Sequence, residues 1–167
     1  MKSMKVVVLI AMVFIFVFAV AAVSADGPKG TTVWEGVQGS DDHKTLQAAL
    51  ECTGLSAALE GNGQITLFAP TDAAFAGFGL SADNVCDKLE LQALTGILAD
   101  HVAKGRRYSG QVVESESIKM LSGNRFPVEL DGDVFVGGAE LDLGNLDVGV
   151  ANGVIHFSNG IVGLGTK

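Results

Sequence analysis

Three histidines, a run of carboxylates and two cysteines are the side chains on which any chemistry would have to be built. His43, His101 and His156 could each serve as a base or a metal ligand. His43 stands at a helix start and reads as solvated. His101 closes an apolar helical run and His156 sits inside a strand run. A ring in either setting is expected to be structural, its nitrogens joined to backbone or to a carboxylate. Glu129, Asp131, Asp133, Glu140 and Asp142 form an acidic run. Calcium takes several carboxylates, but the twelve-residue pattern of an EF-hand loop is missing. These charges therefore read as a solvated hairpin edge that discourages edge-to-edge pairing. Cys52 and Cys86 lack the close ligand pairs of a zinc module. A Gly-x-Ser-x-Gly elbow, His-Glu-x-x-His, a Walker loop and Cys-x-x-Cys are all absent. No metal, cofactor or catalysis is expected. Leu146-Asp147-Val148 spells a tripeptide that some adhesion receptors recognise, whereas Arg-Gly-Asp and every Asn-x-Ser/Thr sequon are absent.

The compartment follows from the N-terminus. Met1 to Lys5 carries two lysines and no acid, Val6 to Ala22 is an unbroken run of 17 apolar residues, and Val23-Ser24-Ala25 supplies small residues. That order describes a secretory signal peptide over residues 1–25, cut before Asp26. The alternative is an uncleaved anchor, since 17 residues lie at the short edge of what spans a bilayer. Export places Cys52 and Cys86 in oxidising surroundings, where an even count suggests one disulfide; two buried thiols is the other reading. The whole chain has a net charge of −8, and residues 26–167 keep nine Lys and Arg against nineteen Asp and Glu, a net charge of −10. Such a domain repels phosphate backbones, so nucleic acid is not an expected partner. Arg106-Arg107 reads as an isolated basic pair.

The elements that must position these residues show helices leading and strands following. Residues 26–39 are rich in Gly and polar residues and read as a lead-in. Ser40 or Asp41 is a plausible N-cap for a helix carrying Leu46, Ala49 and Leu50, with Gly54 as its stop. Leu55, Ala58 and Leu59 make a second helical piece. Ile65 to Phe68 reads as a buried strand that ends at Pro70, which has no N–H for a ladder. Thr71 or Asp72 then caps a helix carrying Phe75. Leu91, Leu94, Ile97, Leu98 and Val102 keep a helical period. Phe126, Val128 and Leu130 alternate, Asp131-Gly132 turns, and Val134 to Val136 returns, which is a hairpin signal. Val154 to Phe157 and Gly160 to Leu164 read as the last strands. The class is α+β.

Two stretches carry a family resemblance. Thr66-Leu67-Phe68-Ala69-Pro70-Thr71-Asp72-Ala73-Ala74-Phe75 and Asn152-Gly153-Val154-Ile155-His156-Phe157 resemble, in order and at the expected separation, the two homology segments of the fasciclin domain. Between them Ile97 to Gly105 resembles a third feature. His101 matches there, while Asp100 replaces the usual tyrosine, and Ser158-Asn159 departs from the second segment's Ile-Asp. The resemblance covers about Ser40 to Leu164, giving one fasciclin-like domain over 40–167. It implies a fold with a β-sandwich-like wedge of short strands packed with several helices. It makes Phe68, Pro70, Thr71, Asp72, Phe75, Asn152, Gly153, Ile155 and His156 structural residues. It also implies a secreted or cell-surface protein, non-catalytic, that contacts extracellular protein or carbohydrate. Asp100, His101 and Tyr108 are the candidate binding residues, and the turn after Pro70 is a second candidate region, because these are loops on a rigid frame. A carrier of a small apolar ligand in a groove between helices and sheet is the alternative, and an enzyme of unrecognised type the third reading.

Overall fold

The computed structural model describes residues 30–165; the segment read as a signal peptide, 1–25, lies outside them. The first elements are helical. Helix α1 (Val33–Gln38) begins with a capping box: the Thr32 hydroxyl accepts from the Glu35 N–H at 3.2 Å and the Glu35 carboxylate accepts from the Thr32 N–H at 2.7 Å. Val33, Trp34 and Val37 on this helix are buried. The stretch read as a lead-in thus supplies three side chains to the core. Helices α2 (Lys44–Thr53) and α3 (Ser56–Glu60) follow, α2 stopping at Gly54 in the left-handed region, as expected from the glycine.

Strand β1 (Ile65–Pro70) runs through the middle of the molecule. Its length ends at Pro70, and Thr71 caps α4 (Asp72–Ala76) by accepting from the Ala74 N–H. Helices α5 (Val85–Lys88) and α6 (Leu91–Ala99) complete the helical half. The expected continuation of α6 to Val102 is not what forms. Asp100 ends the helix, and Val102 lies in β2 (Val102–Lys104), paired antiparallel with β1. Pairing of a backbone edge with the central strand outweighs one more turn of helical period. Helix α7 (Ser109–Val113) leads into β3 (Ser117–Lys119), β4 (Arg125–Asp131) and β5 (Asp133–Val136), the last two forming the expected hairpin. Strands β6 (Ala139–Glu140), β7 (Val148–Val150) and β8 (Gly153–Ser158) close the chain. The strand expected over 160–164 is instead a pair of tight turns. Gly163 and Gly165 both have φ of +83°, and the Ile161 carbonyl accepts from the N–H groups of Leu164 and Gly165.

Two four-stranded sheets result, in the orders β2-β1-β8-β7 and β3-β4-β5-β6. β8 lies parallel to β1 over six residue pairs, from Ile65 with Gly153 to Pro70 with Ser158. Single bridges from Ala103 to Met120 and from Leu141 to Ser158 join the sheets, closing the wedge at two edges. Alternation along β1 then divides the core. Leu67 and Ala69 face the helices, together with Leu46, Leu50, Leu94 and Ile155. Phe68 faces the second sheet, among Ile118, Met120, Val136 and Val162. A disulfide between Cys52 and Cys86 ties α2 to α5. No helix among the described residues is long and apolar enough to cross a membrane.

Candidate functional site

All three histidines are buried, His43 included. The solvated setting expected for His43 is overturned because its ring packs edge-on against Phe157, 4.3 Å between centroids, beneath the end of β1. Each ring joins one donor and one acceptor. His43 Nε2–H donates to the Ala69 carbonyl at 3.3 Å while Nδ1 accepts from the Ser40 hydroxyl at 2.7 Å. His101 Nδ1–H donates to the Ile97 carbonyl at 2.7 Å while Nε2 accepts from the Val162 N–H at 3.0 Å. His156 Nε2–H donates to the Arg107 carbonyl at 2.7 Å while Nδ1 accepts from the Asp147 N–H at 3.2 Å; its ring stacks on Phe68. At His101 and His156 one carbonyl and one backbone N–H per ring fix the neutral tautomer, since a protonated ring has no lone pair left for the N–H.

Burial lowers the pKa of all three, against smaller opposing effects of the backbone carbonyls and nearby carboxylates. His101 is pushed from 6.5 down to about 4. Above pH 6.5 both folded and unfolded chains carry a neutral ring at position 101. Between there and about 4 the unfolded chain binds a proton that the folded chain does not. Stability is therefore complete above pH 6.5 and falls as the pH drops towards 4, by about 3 kcal/mol for this one residue. Urea denaturation across that range should show the loss, and His101→Gln, less stable at neutral pH, should show a loss smaller by about the same amount.

Polar residues of the two homology segments are tied into the frame as well. Asp72 sits on α4 but caps another helix. Its carboxylate accepts from the N–H groups of Thr45 at 2.7 Å and Lys44 at 3.3 Å, at the start of α2. The caps expected for that helix, Ser40 or Asp41, do not act: His43 stands at the cap position without a side-chain bond, and the Ser40 hydroxyl is turned to the His43 ring. Asp72→Ala is expected to cost about 2 kcal/mol, read by thermal melting, since two helix-start amides lose a charged acceptor. Asn152 is buried at the β7–β8 turn, where its Oδ1 accepts from the Val33 N–H and its Nδ2 donates to the Leu59 and Gly61 carbonyls, each at 2.7 Å. Gly153, next to it, has no room for a side chain.

The segment from Asp100 to Tyr108 is organised differently. Asp100, half-buried at the end of α6, accepts from the Ser122 hydroxyl and, at 2.9 Å, from Asn124 Nδ2–H, which fastens the β3–β4 turn. His101 is wholly buried behind it. Tyr108 is half-exposed at the start of α7. Asp147 of the adhesion-type tripeptide has its carboxylate on the N–H and hydroxyl of Ser109 and its own backbone at φ 58°. Thr66 holds the loop between: its hydroxyl donates to the Gly105 carbonyl at 2.7 Å and accepts from the Arg107 N–H at 2.9 Å.

Two open clefts of about 450 and 460 Å³ flank this loop and share Lys104 and Arg107. Lys119 and Arg125 line the first. The basic pair is thus not isolated. Strand registry brings cations from three strands beside it, which one-dimensional spacing hides. An apolar cavity of about 190 Å³ lies among Phe75, Leu80, Leu94, Ile97 and Ile161. It falls below the range of about 300–1,000 Å³ usual for small-molecule sites. Among the described residues no three His, Cys, Asp or Glu side chains converge as a metal site would require.

The fasciclin domain family matches residues 41–162. The chain belongs to the fasciclin domain family. Relatives include the transforming growth factor-beta-induced protein ig-h3 of Sus scrofa, 35% identical over 70% of this chain and 17% of that protein. Protein sll1483 of Synechocystis is 34% identical over 78% of this chain and 72% of that protein. Human periostin is 29% identical over 77% of this chain and 15% of its own length. The chain therefore spans about a sixth of the ig-h3 protein. A FAS1 domain pair from the insect cell adhesion molecule Fasciclin I shares the fold, with a TM-score of 0.52 and 19% identity over 72% of this chain and 46% of that one. In this fasciclin domain, the matched segments build the β1–β8 pair and the polar ties around it. Sequence reasoning finds those segments. It misses Asp72 as a cap for α2 and the cations around Arg107.

Proposed function

We propose that this fasciclin domain is exported and makes non-catalytic contacts with extracellular protein or carbohydrate. One observation carries the reading: the polar groups of His43, Asp72, His101, Asn152 and His156 are all engaged by internal hydrogen bonds, so they serve the frame. A catalytic site needs such groups in a cleft, with a nucleophile or base within reach of a substrate. The contact face is the loop from Asp100 to Tyr108 with the β3–β4 turn, Asp100 and Tyr108 forming its surface and His101 supporting it from behind. The relation to a cell adhesion molecule supports this class of role, and the signal-peptide pattern over residues 1–25 supports export.

Expression of the full chain with a C-terminal tag tests both parts. The protein should leave the cytoplasm and begin at Asp26 by N-terminal sequencing. Surfaces coated with it should hold cells or matrix from its source, and Asp100→Ala with Tyr108→Ala should weaken that attachment without lowering the melting point by more than about 1 kcal/mol equivalent. A chain retained inside the cell with Met1 intact, or attachment equal for the wild type and the double variant, would contradict the reading.

A further inference from the structure

A row of cations crosses three strands in a protein that is otherwise acidic. Lys119 on β3 faces Arg125 on β4 in direct register. The bridge from Ala103 to Met120 sets Lys104 on β2 beside Lys119 in the same way. Ala103 and Met120 are buried, and all three cations are exposed. Arg107 lines the same cleft, with its Nε buried and without a hydrogen-bond partner. Among the described residues, none of these four side chains pairs with a carboxylate. They are four of the chain's eleven Lys and Arg, against nineteen Asp and Glu.

Like charges placed directly opposite one another across strands repel. Among the described residues no Asp or Glu forms an ion pair with the row. The arrangement is electrostatically unfavourable unless an anion lies over it. Cross-strand neighbours stand about 5 Å apart, so the row spans about 10 Å. That is longer than one phosphate or carboxylate and suits an extended chain with repeated anions. The second cleft shares Lys104 and Arg107 and is lined further by Arg106, Gln111, Ser115 and one acid, Glu114. Ser117 and Ser122 add hydroxyls to the first. No aromatic side chain lines either cleft, so there is no stacking platform for the bases of a single-stranded nucleic acid.

We propose that the cleft formed by Lys104, Arg107, Lys119 and Arg125 binds an acidic polysaccharide through its sulfate or carboxylate groups. It rests on the reading of the domain as an extracellular contact module and names the chemistry of one partner.

The test is titration calorimetry with the full chain at an ionic strength of about 0.15 M, using heparin as the sulfated probe and polygalacturonate as the carboxylated one. At least one should bind, and binding should weaken as salt rises. The double variant Lys119→Gln, Arg125→Gln should bind about tenfold or more weakly. Its melting point should be unchanged or raised, because repulsion in the row is relieved. Arg107→Gln should weaken binding as well. The proposal is overturned if neither glycan binds, if the double variant binds like the wild type, or if polyglutamate or single-stranded DNA of equal charge binds as tightly as the glycan. A wild-type protein that binds neither glycan but still supports cell attachment would count against this cleft alone. Glycan binding by a protein that never leaves the cytoplasm would count against the extracellular reading alone.

Discussion

Replacing Gly153 by alanine is expected to remove about 4 kcal/mol of stability and to lower the melting midpoint by about 15 °C. Gly153 opens β8 and stands opposite Ile65 in the parallel pair with β1. A Cβ there would lie 2.2 Å from the Ile65 carbonyl oxygen and 2.9 Å from Val33 Cγ2. The first neighbour is backbone of the central strand. It can move away only by opening a register that runs six residues and ends at Pro70 with Ser158. Phe68, Ala69 and Ile155 depend on that register for their places in the two cores. Circular dichroism melting of Gly153→Ala beside the wild type checks this. A midpoint within a few degrees of the wild type would mean that β1 and β8 are not so closely packed.

Asn152→Ala is expected to cost a similar amount, about 4 kcal/mol, for a different reason. One side chain closes three gaps that the elements leave in their own bonding. The Val33 N–H is a free amide at the start of α1, and the Leu59 and Gly61 carbonyls belong to the end of α3 and the turn beyond it. Truncation leaves a buried donor and two carbonyls without that partner, at about 1–3 kcal/mol for each buried group that water does not reach. Asn152→Asp separates hydrogen bonding from volume. It keeps the acceptor for Val33 but turns a carboxylate oxygen towards two carbonyl oxygens, and should be less stable at neutral pH than the alanine variant. Urea denaturation of the pair gives the order directly. The opposite order would show that filling the space matters more than the donated bonds.

Much of this frame is legible in the sequence because it depends on local pattern. The buried-strand run through Ile65 to Phe68, the turn at Asp131-Gly132 and the left-handed stop at Gly54 each act over a few residues, and the folded chain shows all three. Two long homology segments in the right order identify the fold. What the sequence does not show is set by contacts between distant segments. Val102 fits a helical stripe, yet strand pairing with β1 claims it. His43 looks like a surface residue at a helix start, yet Phe157 and Ala69, far along the chain, cover it. Asp72 looks like a cap for its own helix but serves α2, because the β1–α4 corner brings it to the start of that helix. Lys104, Lys119 and Arg125 are scattered in sequence and become neighbours only through the registers of β2, β3 and β4. In each case a tertiary contact overrides a local preference or creates a neighbour that spacing cannot reveal.

The same division separates the residues that hold the fold from those that meet a partner. His101 and Asn152 belong to the first group, and Asp100, Tyr108 and the cation row to the second. The measurement that tests this most directly is attachment per folded molecule for two variants side by side, His101→Gln and Asp100→Ala with Tyr108→Ala. His101→Gln should melt lower, yet attach as well as the wild type at a temperature where it remains folded. The surface variant should stay within about 1 kcal/mol of the wild type in stability and attach poorly. A folded His101→Gln protein that has lost attachment, together with a surface variant that keeps it, would place the contact residues inside the frame and contradict the separation.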